Sequence, residues 1–248
     1  MTLNKKHILV TGASDGIGQA TAILLAKRGA RLLITGQDEN KLHKTALSLP
    51  GNQHQCSTFN LLKTDEISKW LTEFTGTHGH LDGLVHCAGI QETMTVRNFN
   101  SEVFDRTMRI NLASALGLAK GFRYKRPRDV QGSIVLISSV AGSIGQPSNI
   151  VYGASKAALN NVTKGLAMEL LRDNIRVNCV APAMVETSMA LKTQKNMTKE
   201  QFESIRSRHP MGFGKTTDVA EAVAFLLSDS SKWINAVTLP VDGGYLAY

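Results

Sequence analysis

Tyr152 and Lys156 stand four residues apart at the start of an apparent helix. Residues so spaced share one helix face, with Cβ atoms roughly 6 Å apart. The pair suits proton transfer. A free phenol ionises near pH ~10, so use near neutrality requires about 4 kcal/mol of stabilisation of its anion. A lysine cation at ~4 to 5 Å, in an effective dielectric near ~20, supplies about that much. The same two residues on any helix also make an ordinary surface pair, so the chemistry depends on what surrounds them. The apolar run GSIVLIS, 132 to 138, delivers Ser138 and Ser139 to its carboxyl end. A hydroxyl there either orients a substrate carbonyl or caps a turn.

A second constellation suits a dinucleotide. The run HILVT passes into Thr11-Gly12-Ala13-Ser14-Asp15-Gly16-Ile17-Gly18 and then into helical periodicity. Gly12 permits a tight turn, Gly16 lets backbone approach a pyrophosphate at the helix N-terminus, and Gly18 allows close helix packing. An ordinary glycine-rich turn is the alternative. The second apolar run ends at Gly36 and Gln37, where an acid would bind the free ribose of NAD and a base the 2′-phosphate of NADP. Gln37 is neither. Asp15 opposes a phosphate and Lys41 favours one, so the choice of NAD or NADP is open on these residues.

Seven apolar runs are positioned to carry these groups: 7–11, 31–35, 54–59, 82–86, 132–138, 175–180 and 236–241. Helical stripes separate them, such as Ile17, Ala20, Ile23, Leu24, Ala26 and Val219, Ala222, Val223, Leu226, Leu227. The alternation defines an α/β chain: one Rossmann-type domain over 1–248, a doubly wound parallel sheet of seven strands with helices on both faces. The stretch from Ala181 to Thr216 breaks the rhythm. A helical pattern from Thr198 to Arg208 within it suggests a substrate lid over about 183–216.

Composition narrows the classes. Of 248 residues 42% are hydrophobic, enough for a buried core rather than disorder. With 28 Lys+Arg against 20 Asp+Glu the chain carries +8, which favours anionic partners. No nucleic-acid motif accompanies the basic knot of Lys120, Arg123, Lys125, Arg126 and Arg128, and no aromatics interleave with it, so nucleic acid is not an expected partner. Cys56, Cys87 and Cys179, all assigned to strand segments, form neither a disulfide framework nor a metal-ligand pattern, and a reducing cytoplasm fits them. No run is long enough for a membrane span. His86 ends an apolar strand and reads as a satisfied core histidine rather than a general base.

Together these residues resemble the short-chain dehydrogenase/reductase family over essentially the whole chain, from Thr11 to Gly244. The glycine signature T-G-x-x-x-G-x-G falls on Thr11 to Gly18, Y-x-x-x-K on Tyr152 and Lys156, the serine thirteen positions earlier on Ser139, and the helix asparagine on Asn111. Asn178 and Pro182, Thr187 and the terminal Val241 to Gly244 match as well. The resemblance is greatest to the 3-oxoacyl-(acyl carrier protein) reductase-like branch.

That resemblance implies an NAD(P)(H)-dependent oxidoreductase acting on a ketone or secondary alcohol. Tyr152 would exchange the proton, Ser139 position the oxygen, and Lys156 hold the nicotinamide ribose. Asn111 would hold a water linking Lys156 to solvent, or merely cap or pack. Implied cofactor contacts are Gly12, Ser14, Asp15, Gly16, Ile17, Gly18, Gln37, Asn60, Leu61, Ala88, Gly89, Pro182, Val185 and Thr187, beside Tyr152 and Lys156. Ala141, Ser143, Gln146, Met184, Val185 and Met189 would line the pocket. Three departures affect detail: His86-Cys87-Ala88-Gly89 replaces N-N-A-G, Ala183 follows Pro182 in place of glycine, and Asn60 stands where an aspartate commonly meets the adenine. Implied partners are a small carbonyl or alcohol and, through the basic knot and Arg172, an acyl carrier protein. Relatives form homotetramers through the helices holding Asn111 and Tyr152 and the terminus 240–248. A silent nucleotide-binding regulator with the same fold is the alternative.

Overall fold

The computed structural model describes residues 2–124, 126–195 and 197–247. Its strands are β1 (His7–Thr11), β2 (Arg31–Gly36), β3 (Gln55–Thr58), β4 (Gly83–His86), β5 (Gly132–Ile137), β6 (Ile175–Pro182) and β7 (Thr238–Val241). These are the seven expected runs, and they pair in parallel in the order β3-β2-β1-β4-β5-β6-β7. Because the chain winds outward from β1 in both directions, the switch point lies between β1 and β4. Val10 pairs with both Ile34 and Val85 there. β7 is shorter than the apolar pattern because Ala236 has φ 63°, which no strand residue adopts. Cys87, assigned to a strand from sequence, lies one residue beyond β4.

Strand side chains alternate between two cores. Ile8 and Val10 enter one with Val85, Val135 and Val180, and Leu9 enters the other with Leu33, Leu84 and Leu136. Both faces being buried explains why the strands read as continuous apolar runs. The first face is covered by α1 (Gly16–Lys27), α2 (Glu39–Ser48) and α9 (Thr216–Leu227), the second by α3 (Ile67–His78), α5 (Ser114–Arg123) and α6 (Ile150–Glu169). α4 (Ser101–Met108) leads into α5 through a π-turn, Arg109–Ala113. In α6 the residues Val151, Ser155, Leu159, Thr163 and Ala167 are buried at spacing four, so Tyr152 and Lys156 flank the stripe that fixes the helix to the sheet.

The stripe expected on α1 is displaced. Gly18, Thr21, Ala22, Leu25 and Ala26 are buried, while Ile17, Ala20, Ile23 and Leu24 are half-buried. Small residues face inward because α1 lies close against the sheet and α9. The segment after β6 holds the expected helix, α8 (Lys199–Ser207), with Thr198 as its N-cap, and also α7 (Ser188–Lys195), which the sequence reading missed. A parallel bridge between Val185 and Gly214, with Glu186 N donating to Gly214 O at 2.9 Å, closes the base of this excursion.

The basic knot is not one face. Arg126 is buried, donating to the carbonyls of Leu81 and Val130 at 2.8 Å with Asp82 4.0 Å away. Arg123 and Arg128 share the buried Asp173, at 2.9 and 3.5 Å. Lys125 lies outside the described residues, as does Tyr248.

Candidate active site

The glycine turn is forced by contact. Gly12 has φ 65°, and a Cβ on it would sit 2.7 Å from Ala88 N; one on Gly18 would sit 2.2 Å from Gly12 O. β1, α1 and the chain leaving β4 therefore meet at separations that only glycine allows. Asp15 caps α1, its carboxylate accepting from Gly16 N at 2.7 Å and from the Ser188 hydroxyl at 2.6 Å. The Ser188 bond, reinforced by the Gly16 N–H and Lys41, holds this carboxyl below the usual aspartate range despite partial burial.

A dinucleotide fits these residues. The Ser14 hydroxyl is buried with no hydrogen-bond partner among the described residues. A Cβ on Gly36 would meet it at 2.0 Å. The end of β2 is thus an open cradle with an unused hydroxyl, beside a helix N-terminus whose first N–H groups lack intrahelical acceptors. Gln37 Nε2 donates to Asn60 Oδ1 at 3.0 Å, so the two residues expected at the adenosine end adjoin. Leu61 contributes no side chain to this edge, being buried in the second core with Leu9 and Leu33. Asp38 caps α2 through Lys41 N at 3.0 Å, and the Lys41 ammonium lies 3.7 Å from Asp15.

The four residues expected to carry the chemistry converge at the carboxyl ends of β4 and β5. The Ser139 hydroxyl accepts from Ala141 N at 3.1 Å and lines the same cleft as the Tyr152 phenol and Lys156. Ser138 donates to the Lys156 carbonyl at 2.9 Å, a structural role. Lys156 is buried, donates to the Ile137 carbonyl at 2.8 Å, and has its Nζ 5.6 Å from the Tyr152 ring centroid. Burial pushes the Tyr152 phenol above its ordinary value, offset in part by Ser139, and burial brings Lys156 down to about 8. Lys156 bonds a backbone carbonyl, so the lowering expected from an adjacent cation is not what the protein residues alone produce. Asn111, in the π-turn, donates to Ile90 O at 3.0 Å and Ser155 Oγ at 2.9 Å and accepts from Ile90 N at 2.8 Å. Its side chain joins the post-β4 segment to α6.

His86 is the core histidine expected, and it also organises the site. Ser114 Oγ donates to Ile110 O, so it must accept from His86 Nε2 at 3.0 Å; Nδ1 is then left to accept from the Thr11 hydroxyl at 2.9 Å. Thr11 Oγ1 in turn accepts Ala88 N–H at 3.2 Å. One directional chain thus runs from the segment after β4, through the end of β1, to the π-turn holding Asn111. Burial, aided by the Lys156 charge, brings His86 down to about 3, so the ring is neutral.

A cleft of about 360 Å³ opens over Ser139, Tyr152 and Lys156 and reaches Ile17, Gly89, Pro182, Val185 and Thr187. Of the expected pocket residues, Ala141, Gln146, Met184, Val185 and Met189 line it and Ser143 does not. Gln91, Asn149, Arg208, His209 and Tyr245 line it unforeseen, because chain folding alone brings them there. His209 accepts Met184 N–H on Nε2 at 3.3 Å, donates from Nδ1 to Ile205 O at 2.7 Å, and packs on Phe213 and Tyr245. A larger hollow of about 720 Å³ lies between α1 and the α7–α8 excursion and shares Met184, Val185, Thr187 and Ala190 with the cleft; it lacks Ser139, Tyr152 and Lys156.

The strand order, the glycine turn and the convergence of Ser139, Tyr152 and Lys156 on one cleft define a dinucleotide-dependent α/β enzyme class. Residues 12–246 match the family model described as enoyl-(acyl carrier protein) reductase, and the chain belongs to the short-chain dehydrogenase/reductase family. It is 35% identical over 98% of its length to glucose 1-dehydrogenase of Gluconobacter oxydans, covering 92% of that protein. It is also 35% identical to 3-oxoacyl-[acyl-carrier-protein] reductase of Thermotoga maritima, covering 98% of this chain and 99% of that protein. A solved short-chain type dehydrogenase/reductase from Mycobacterium ulcerans superposes with TM-score 0.91 at 29% identity, covering 100% of this chain and 92% of that one. The protein is accordingly an oxidoreductase of ketones or secondary alcohols, and its family uses NAD(P)(H). No helix among the described residues is long and apolar enough to cross a membrane.

Proposed function

We propose that Tyr152 is the proton donor or acceptor, Ser139 orients the substrate oxygen, and Lys156 holds the nicotinamide ribose, with Asn111 acting through its main chain because its side chain is engaged. The observation that carries this reading is the convergence of Ser139, Tyr152 and the buried Lys156 ammonium on one cleft. The bound nicotinamide supplies or accepts the hydride at the substrate carbon. The turn from Gly12 through Ser14, Asp15, Gly16 and Ile17 to Gly18 holds the pyrophosphate. Gln37 and Asn60, with the Leu61 backbone, hold the adenosine end, and Ala88, Gly89, Pro182, Val185 and Thr187 enclose the rest. Segment 183–216 is the lid of a single domain. Replacing Tyr152 by Phe tests the reading: turnover of a carbonyl panel should collapse while cofactor titration is unchanged, and equal turnover in both proteins would leave only a silent nucleotide-binding protein.

The adenosine edge favours NAD over NADP. Lys41, a cation beside the glycine turn, is engaged by Asp15, and the Gln37 and Asn60 amides suit free hydroxyls. A free small-molecule carbonyl suits the cleft better than a carrier-bound one, since Arg126 is buried and Arg123 and Arg128 are both drawn to the one Asp173 carboxylate; Lys120 and Arg172 remain for carrier docking. Exposed Ile150, Met168 and Leu171 on and just beyond α6, and Trp233 before β7, support a homotetramer, which sedimentation mass checks, and the free Cys56, Cys87 and Cys179 fit a reducing cytoplasm.

A further inference from the structure

We propose that the substrate is a ketone or secondary alcohol bearing an anionic group, a carboxylate or phosphate, and that Arg208 holds it. The proposal rests on the oxidoreductase reading of the same cleft. Among the described residues lining that cleft none is Asp or Glu, and the cations are Lys156 and Arg208. Lys156 is buried and committed to the Ile137 carbonyl. Arg208 is exposed and its guanidinium makes no ion pair among the described residues, whereas Arg206, two positions earlier, faces Glu203 at 4.0 Å.

Arg208 is set in place by its neighbours. It is the C-cap of α8, with φ −83° and ψ 0°, and the next residue, His209, is buried with both ring nitrogens bonded across the base of the lid. A flexible cation on a fixed stem at the mouth of a cleft without acids has one chemical use that neutral substrates do not exploit: its planar fork matches a carboxylate or phosphate in two parallel hydrogen bonds. The rest of the wall agrees. Gln91 Nε2 donates to Asn149 Oδ1 at 3.3 Å and Asn149 Nδ2 donates to Gln146 Oε1 at 2.8 Å, so this row of amides ends on the Gln146 NH2 group, a donor. Met184, Met189, Met197 and Ile205 complete the lining, so the body of the ligand between carbonyl and anion is apolar.

The test compares straight-chain oxo acids with their own methyl esters, and a hydroxyketone phosphate with the free hydroxyketone, in the parent, Arg208→Gln and Arg208→Lys, with NADH and NADPH both supplied. The parent should prefer one anion class over its neutral match by about tenfold or more in kcat/KM. Arg208→Gln should remove that preference mainly through KM, the anion losing about tenfold more than its neutral match, and Arg208→Lys should restore part of it. The carboxylate and phosphate arms identify the anion. Equal use of anion and neutral match by the parent, or an equal loss of both in Arg208→Gln, overturns the proposal. If the parent turns over no carbonyl, the oxidoreductase assignment of the cleft fails separately. Calorimetric binding of the same anions then decides the Arg208 assignment, affinity equal in parent and Arg208→Gln, or absent in both, refuting it.

Discussion

The Asp15 carboxylate accepts a hydrogen bond from the Ser188 hydroxyl at 2.6 Å, which joins the glycine turn to the first residue of α7. The same group caps Gly16 N and faces Lys41, so one charge links the glycine turn, α7 and the helix after β2. Asp15→Asn preserves an N-cap while removing the charge. Lys41 is then free to attract a 2′-phosphate, and affinity for NADPH relative to NADH should rise about fivefold, the size of an exposed ion-pair effect. Fluorescence titration with both nucleotides measures the ratio; no change in it would refute the role given to Asp15.

The role proposed for Tyr152 predicts opposite pH dependences for the two reaction directions. Its phenol is raised by burial, so at neutral pH it is protonated and ready to give a proton to a carbonyl oxygen. Reduction should therefore hold across neutral pH and fall in the alkaline range, while oxidation, which needs the phenolate, should rise with pH. Lys156, brought down to about 8, begins to lose its charge in the same alkaline range. Tyr152→Phe should lower kcat by about a hundredfold or more and flatten both profiles. Parallel profiles in the two directions would contradict this assignment.

His86 makes the fold sensitive to acid. The unfolded ring titrates near ~6.5 and the folded one at about 3, so between those values the unfolded chain holds the extra proton. Stability is then lost as pH falls from ~6.5, by up to about 1.4 kcal/mol per pH unit from this ring. His7, brought down to about 4 by burial and the Arg31 charge, adds a second such dependence. Denaturant midpoints of the parent and His86→Asn at pH 5 and 7.5 should show a shallower loss in the variant. Identical losses would show that the ring is not the acid-sensitive group.

Two glycines separate folding from cofactor binding. Gly18→Ala places a methyl 2.2 Å from Gly12 O, backbone against backbone, and should destabilise the protein by about 1 to 3 kcal/mol. Gly36→Ala meets the Ser14 side chain, its hydroxyl at 2.0 Å and its Cβ at 3.3 Å, and the hydroxyl can turn aside, so its melting temperature should change less while dinucleotide affinity falls. Thermal melts with and without cofactor distinguish the two. An unchanged affinity in Gly36→Ala would remove Ser14 and Gly36 from the nucleotide site.

By itself the sequence determined the sheet, because strands buried on both faces must be apolar throughout and helices between them must carry one apolar face. It also marked the candidate chemistry-bearing residues, since Gly12, Gly18, Ser139, Tyr152 and Lys156 occur at spacings set by local turns and one helix. Tertiary structure decided the rest. The inward face of α1 consists of small residues, which hydrophobicity alone does not mark, and Asp15 meets Ser188 across 173 positions. Arg126 looked like surface charge until its guanidinium was placed against two buried carbonyls, and Lys156 looked like the neighbour of a phenol until it bonded Ile137. Arg208 and His209 belong to the cleft only because the Val185–Gly214 bridge folds a long excursion back over it. Local spacing is encoded in adjacent residues, whereas burial and charge pairing arise from distant segments meeting in space.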